Sequence, residues 1–226
     1  PFSIVTSTQN IVHMREDGSV WHWDYRPGSI DARENGVGDL GNGIVNNQKS
    51  LSDSNDIFCI NTNFGELKIR LFSKIAPKHV ESFKIHVKNG YYNGTIFHRI
   101  IPGFMIQGGD PNTKTNNKES YGIGGHAAKY YGIGDVNNSK TWDLPAEFND
   151  IKHTKGILSM ARTNDPNSAG SQFFICAANA PHLDNKYTVF GEVIEGLENI
   201  DKIINVPRDS RDNPNRRIEM NIDVCR

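Results

Sequence analysis

Cysteine is scarce in this sequence, long apolar runs are missing, and neither sign of charge prevails. The three cysteines, Cys59, Cys176 and Cys225, are odd in number and far apart, so neither a disulfide framework nor a Cys-x-x-Cys metal or redox pair can be written. A reducing compartment such as the cytoplasm is the corresponding expectation. No apolar run approaches the roughly 20 residues that span a bilayer, so no membrane partner is expected. Twenty-five Lys and Arg stand against 26 Asp and Glu, a formal net charge of -1, with the two signs interspersed. No global field recruits nucleic acid. The eight histidines include no His-Glu-x-x-His pair and no His-plus-Cys ligand spacing, so no metal is expected. Ser171 lacks the Gly-x-Ser-x-Gly elbow, which leaves nucleophilic hydrolysis without support.

What is present fits one large domain with something left over. The chain has 226 residues, of which 36% are apolar, and a mean hydropathy of -0.55; eleven Phe with abundant Ile and Val could fill one core. It begins at Pro1, which reads as a processed or truncated piece. Residues 1–55 are rich in Gly, Asn, Asp and Ser without sustained periodicity, and are expected to form an irregular extension and linker. Trp21-His22-Trp23-Asp24-Tyr25 is the exception, since three aromatics at alternate positions would share one face of a strand.

From residue 56 onward the texture is that of a folded domain. Ile57–Ile60 and Leu67–Phe72 are β-prone runs around a turn. Ala76-Pro77 opens a helical stretch with Val80, Phe83 and Val87 on one face, closed by Asn89-Gly90. Further β-prone runs follow at 95–101, 104–107, 157–161, 172–177, 188–193 and 218–224, with a second helix at 197–204. Many strands and two helices without βαβ alternation predict an antiparallel barrel with helices at its ends. The polar stretch between Pro111 and Asp150 is long enough to be functional or mobile.

Gly122-Ile123-Gly124-Gly125-His126-Ala127 matches the dinucleotide fingerprint in form, but polar loop precedes it where a buried strand is required. Arg208, Arg211, Arg216 and Arg217 alternate with acids and read as a solvated face. The informative run is Phe97-His98-Arg99-Ile100-Ile101-Pro102-Gly103-Phe104-Met105-Ile106-Gln107-Gly108-Gly109-Asp110-Pro111. A strand, a Pro-Gly turn and a second strand put one cation and two apolar side chains on a shared wall. Such an arginine is either a surface residue with a packed stem or a donor positioned over a pocket; spacing alone does not choose.

That run resembles the signature of the cyclophilins, a family of peptidyl-prolyl cis-trans isomerases. Gly156–Thr163 leading into Ala169–Ile175, and His182–Gly191, match in the family's order, and the likeness covers residues 57–224. The resemblance implies a mainly β fold, a closed eight-stranded antiparallel barrel capped by two helices. It makes Arg99 the catalytic residue, oriented by Gln107, with Phe104, Met105, Phe174 and Leu183 lining the proline pocket. Ala161, Arg162, Thr163 and Gln172 would line the groove for the flanking peptide, with Gly122 at its rim. The family usually has Asn at the place of Arg162, Ala at that of Thr163, and a loop between Met160 and Gln172 one residue shorter. Its best-known members carry Trp where this chain has His182, and His where it has Tyr187. That Trp contributes strongly to binding cyclosporin in the family, so the resemblance implies weakened drug affinity. The expected partners are proline-containing peptides, bound by a monomer that needs no cofactor; a proline-binding scaffold is the alternative.

Overall fold

The computed structural model describes residues 56–225, together with the backbone of three strands nearer the N-terminus. Those are β1 (Phe2–Ser7), β2 (Asn10–Met14) and β3 (Val20–Asp24), paired antiparallel in the order β1-β2-β3. The expectation of an irregular extension over residues 1–55 is therefore corrected for this part. Short polar-flanked strands carry too little periodicity to announce themselves, although Trp21 and Trp23 do fall on a strand. Tyr25 and the expected linker lie outside the described residues.

The main unit is one antiparallel sheet of nine strands. They are β4 (Ile57–Thr62), β5 (Gly65–Leu71), β6 (Thr95–Ile96), β7 (Arg99–Ile101), β8 (Met105–Gly108), β9 (Ile157–Met160), β10 (Phe173–Cys176), β11 (Val189–Glu195) and β12 (Glu219–Val224), in the order β6-β12-β4-β5-β11-β9-β10-β8-β7. The two edges, β6 and β7, are separated in sequence only by Phe97 and His98. From Ile96 to Arg99 the chain spans at most about 11 Å, so the sheet must curl until its edges nearly meet. The two linking residues divide their allegiance: the Phe97 amide donates to the Ile218 carbonyl beside β12, and the His98 amide to the Gln107 carbonyl on β8. The expected closed barrel of eight strands is accordingly a curled, open sheet of nine. The run at 95–101, which reads as one strand, is broken where it turns from one edge to the other.

Two helices accompany the sheet. In α1 (Pro77–Lys88), proline occupies the first turn, where its missing amide hydrogen costs nothing, and His79, Val80, Phe83, His86 and Val87 are buried. Ala76 offers no capping side chain; instead Glu147 accepts from the Lys78 and His79 amides at 3.1 and 3.0 Å. In α2 (Leu197–Ile204), Ile200, Ile203 and Ile204 are buried. Phe83 meets Phe58 and Phe173 edge-on within the main core.

Strand alternation separates two apolar clusters. Phe173 and Ile175 of β10 and Ile106 of β8 join the main core, whereas Phe174 and Cys176 of β10 and Met105 of β8 join a second cluster with Leu183 and Val189. All four residues of β10 are buried, so both of its faces are covered. The second cluster forms the floor on which the candidate site is built.

One expectation about cysteine fails. Cys59 and Cys225 form a disulfide across a sequence separation of 166, with their Cα atoms 5.1 Å apart. Pairing of β12 with β4 sets Asp223 opposite Cys59, and Cys225 follows on the same face one pleat later. Distance along the chain hid this because the last strand returns to the first strand of the sheet. The ground for expecting a reducing compartment goes with it; Cys176 is the buried free thiol.

Candidate active site

Register places the decisive side chains in one row. Arg99 on β7 pairs with Gln107 on β8, Gln107 with Phe174 on β10, and Phe174 with Ser159 on β9. Neighbouring strands lie about 4.8 Å apart, so Arg99 and Phe174 stand about 10 Å from one another with Gln107 between them. The Pro102-Gly103 turn, with Gly103 at φ 73°, folds Phe104 back beside this row.

A cavity of about 200 Å³ opens there. Arg99 and Gln107 form one wall; Phe104, Met105, Phe174 and Leu183 form its apolar part; Ala161, Arg162 and Tyr187 complete it. Phe174, Met105 and Leu183 are buried, whereas the Arg99 side chain keeps 45% of its surface exposed. The guanidinium is therefore solvated until something displaces that water. Among the described residues its nearest carboxylate is Asp212, with Nε to Oδ2 at 4.0 Å.

Gln107 pairs with Arg99 across the strands, and its side chain is held from the other side. Gln107 Nε2 donates to Gln172 Oε1 at 3.0 Å, and Gln172 Nε2 donates to the Gly124 carbonyl at 2.7 Å. This amide chain links the cavity to a second one of about 400 Å³, which receives Gly122, Thr163 and Gln172 and shares Gln107, Ala161 and Arg162 with the first. His182 is exposed and lines neither; its ring lies 5.3 Å from that of Phe104, tilted by 39°.

Arg162 acts as a brace. Its guanidinium donates to the Lys186 and Thr163 carbonyls, each at 2.7 Å, and lies 4.4 Å from the Tyr187 ring centre. The side chain thus joins the two loops that bound the cavity. Beneath it, the His153 ring stacks on Phe174, with Nδ1 3.1 Å from Asp184 and Nε2 3.1 Å from Ser159. Burial pulls the His153 pKa down, against the opposing pull of Asp184.

Sequence reasoning missed these supports. His153, Asp184 and Ser159 belong to separate segments with no motif spacing. Asp110 lay at the end of the signature run and could have been singled out there: fully buried, it accepts from the amides of Gly122 at 2.6 Å and Asn112 at 2.8 Å, fixing the rim loop. Two glycines of that loop, Gly124 and Gly125, serve packing. A Cβ on Gly124 would stand 2.4 Å from the Asp110 carboxylate, and one on Gly125 2.4 Å from Ser171 Oγ.

The family model for cyclophilin-type peptidyl-prolyl cis-trans isomerases matches residues 57–224. The chain belongs to the cyclophilin family. It is 40% identical over 159 residues to a peptidyl-prolyl cis-trans isomerase of Acinetobacter baylyi, covering 68% of this chain and 74% of that protein. It is 42% identical over 149 residues to the human peptidyl-prolyl cis-trans isomerase-like 3, covering 66% and 81%. A cyclophilin-type isomerase of Cryptosporidium parvum, crystallised in the presence of the dipeptide Ala-Pro, superposes with a TM-score of 0.63 at 36% identity over 74% of this chain and 96% of its own. The cyclophilin fold thus accounts for the curled sheet and both helices.

Proposed function

We propose that this cyclophilin is an active prolyl isomerase, with Arg99 as its catalytic residue and the Phe104, Met105, Phe174 and Leu183 pocket as its proline site. The observation that carries the reading is the cross-strand row, which sets a guanidinium and an apolar floor on either side of one cavity. Its ligands would be exposed X-Pro segments of peptides and proteins, bound by a monomer; the Ala-Pro dipeptide used with the Cryptosporidium relative supports that chemistry.

Rotation about an X-Pro bond meets a barrier of about 18–20 kcal/mol because twisting destroys amide resonance. No covalent bond changes, so positioning and electrostatics suffice. At the twisted geometry the prolyl nitrogen becomes pyramidal and exposes a lone pair. Arg99 would donate a charge-assisted hydrogen bond to it that the planar ground state cannot accept. The proline ring, seated on Phe174 and Met105, would displace water from the half-exposed guanidinium and strengthen its field. Gln107, held by Gln172, would fix the wall between arginine and floor.

The second cavity would take residues flanking the proline, along Ala161, Arg162, Thr163, Gln172 and Gly122. With His182 in place of the family's Trp, cyclosporin would bind weakly while turnover persists. A scaffold that only docks proline would not need Arg99 beside its pocket, and is the less favoured reading. Measured exchange of an X-Pro peptide in the presence of the protein, by coupled proteolysis or NMR, tests the proposal; exchange at the uncatalysed rate would refute it.

A further inference from the structure

Arg99 and Gln107 also line a third cavity, of about 270 Å³, that takes in none of the apolar floor and that none of the roles above uses. Among the described residues its charged lining is Arg99, Lys118 and Arg211, with no carboxylate; His98, Tyr121 and Asn213 are also there. The turn at 209–213, which the sequence presents as a solvated charged face, builds one side of it. That turn docks on β7: the Ile100 amide donates to the Asp212 carbonyl at 2.9 Å, and Asn213 Nδ2 to the His98 carbonyl at 2.9 Å.

Two buried lining residues have unmet hydrogen-bonding capacity. His98 is 2% exposed and Asn213 6%, yet among the described residues Oδ1 of Asn213 has no hydrogen-bond partner and the His98 ring has none of good geometry, the Ile96 carbonyl being only near enough to oppose the lowering of its pKa. Buried polar atoms ordinarily find one. Nε2 of His98 faces Gly122, where an added Cβ would stand 3.7 Å away, and Gly122 lines the same cavity. A neutral imidazole can donate and the Asn213 oxygen can accept, which is the pair of functions a peptide group needs.

The two cations other than Arg99 are each paired at the surface. Lys118 Nζ donates to Asp209 at 3.1 Å, and Arg211 holds Glu119, whose side chain is 80% exposed, by two hydrogen bonds of 3.1 Å. Exposed pairs contribute about 0–1 kcal/mol, a bidentate one toward the upper end, so an incoming carboxylate competes with the solvent-facing Glu119 for Arg211. We infer that this cavity is a subsite for an acidic side chain one or two residues from the target proline, with Lys118 and Arg211 receiving its carboxylate and His98 and Asn213 its peptide group. The inference rests on the isomerase reading, because the subsite shares Arg99 and Gln107 with the proline pocket.

The test is a set of short peptides with Glu, Gln or Lys placed in turn at the two positions before and the two after one proline. Exchange is measured at low and high salt, together with binding followed by calorimetry and by the ¹⁵N signals of the His98 ring. At one position Glu should exceed Lys about fivefold in kcat/KM, and the preference should shrink with salt. Arg211→Glu should abolish or invert that preference while leaving the Gln peptide within about twofold, and Glu119→Gln should enlarge it. Equal rates for Glu, Gln and Lys peptides at every position, or a preference unmoved by Arg211→Glu, would overturn the subsite while leaving the isomerase reading intact. If no peptide is turned over, that reading fails, and the binding arm still decides the subsite: a Glu-selective shift at His98 supports it, and no selectivity rejects it.

Discussion

Gln107 and Gln172 are joined by a 3.0 Å amide-to-amide hydrogen bond, and Gln172 passes the chain on to the Gly124 carbonyl. Gln107 lines both the proline cavity and the larger neighbouring one, and Gln172, which holds it, lines the second. Replacing Gln172 with Ala removes the acceptor that holds Gln107 and the donor that holds the 122–125 loop. Activity on an X-Pro peptide should fall about tenfold, mainly in kcat/KM, with the far-UV spectrum unchanged. Wild-type kinetics in the variant would show that the amide chain does not position the wall.

The curled sheet and the site were legible in the sequence to different depths. Alternation at Leu67, Ile69 and Leu71 and the helical spacing of Val80, Phe83 and Val87 announced their elements. The run from Phe97 to Pro111 carried most of the pocket because two adjacent strands and their turn are contiguous in sequence. The break at Phe97-His98 was hidden, since a strand that changes edge keeps its apolar pattern. The disulfide, the His153–Asp184–Ser159 support and the docking of the 209–213 turn were also hidden. Each depends on which distant strands or loops meet, and local spacing does not encode that.

Arg162 spans from the Thr163 loop to the Lys186 carbonyl and covers Tyr187. Arg162→Asn would restore the residue usual in the family but delete the brace. A several-fold rise in KM, with kcat less affected, is expected in a peptide series varied at the residue preceding proline. An unchanged KM across that series would remove Arg162 from the groove wall.

Protonation should cost stability below neutrality. Burial lowers the His86 pKa from 6.5 to about 4 despite its hydrogen bond to the His126 carbonyl, and burial also lowers those of His98 and His153. A histidine with a depressed folded pKa binds fewer protons in the native state than in the unfolded chain. Its contribution is complete above about pH 6.5 and is lost progressively as the pH falls toward 4, on the order of 2 kcal/mol for His86 at pH 5. Urea unfolding at pH 7 and pH 5 checks this, and His86→Phe should flatten the difference. Equal stability at both pH values would contradict it.

The Cys59–Cys225 bond ties the last strand to the first strand of the sheet. Closing so long a loop restricts the unfolded chain, and its loss should cost about 2–4 kcal/mol. Cys225→Ser should lower the urea midpoint of the oxidised protein and make it insensitive to reductant. Identical midpoints for wild type with and without reductant would show that the bond adds nothing.

His182 stands beside Phe104 at the rim. His182→Trp should raise cyclosporin affinity at least tenfold in calorimetry while altering peptide turnover little. Equal affinity for the two proteins would remove position 182 from the explanation.

The central claim is that the half-exposed Arg99 guanidinium, across one strand from Phe174, stabilises the twisted prolyl bond. Its most direct test is kcat/KM of Arg99→Ala and Arg99→Lys on one X-Pro peptide, with folding checked by thermal unfolding. Ala should lose about 100-fold or more, and Lys should recover little because it lacks the planar fork. Near wild-type turnover by a folded Arg99→Ala would contradict the account.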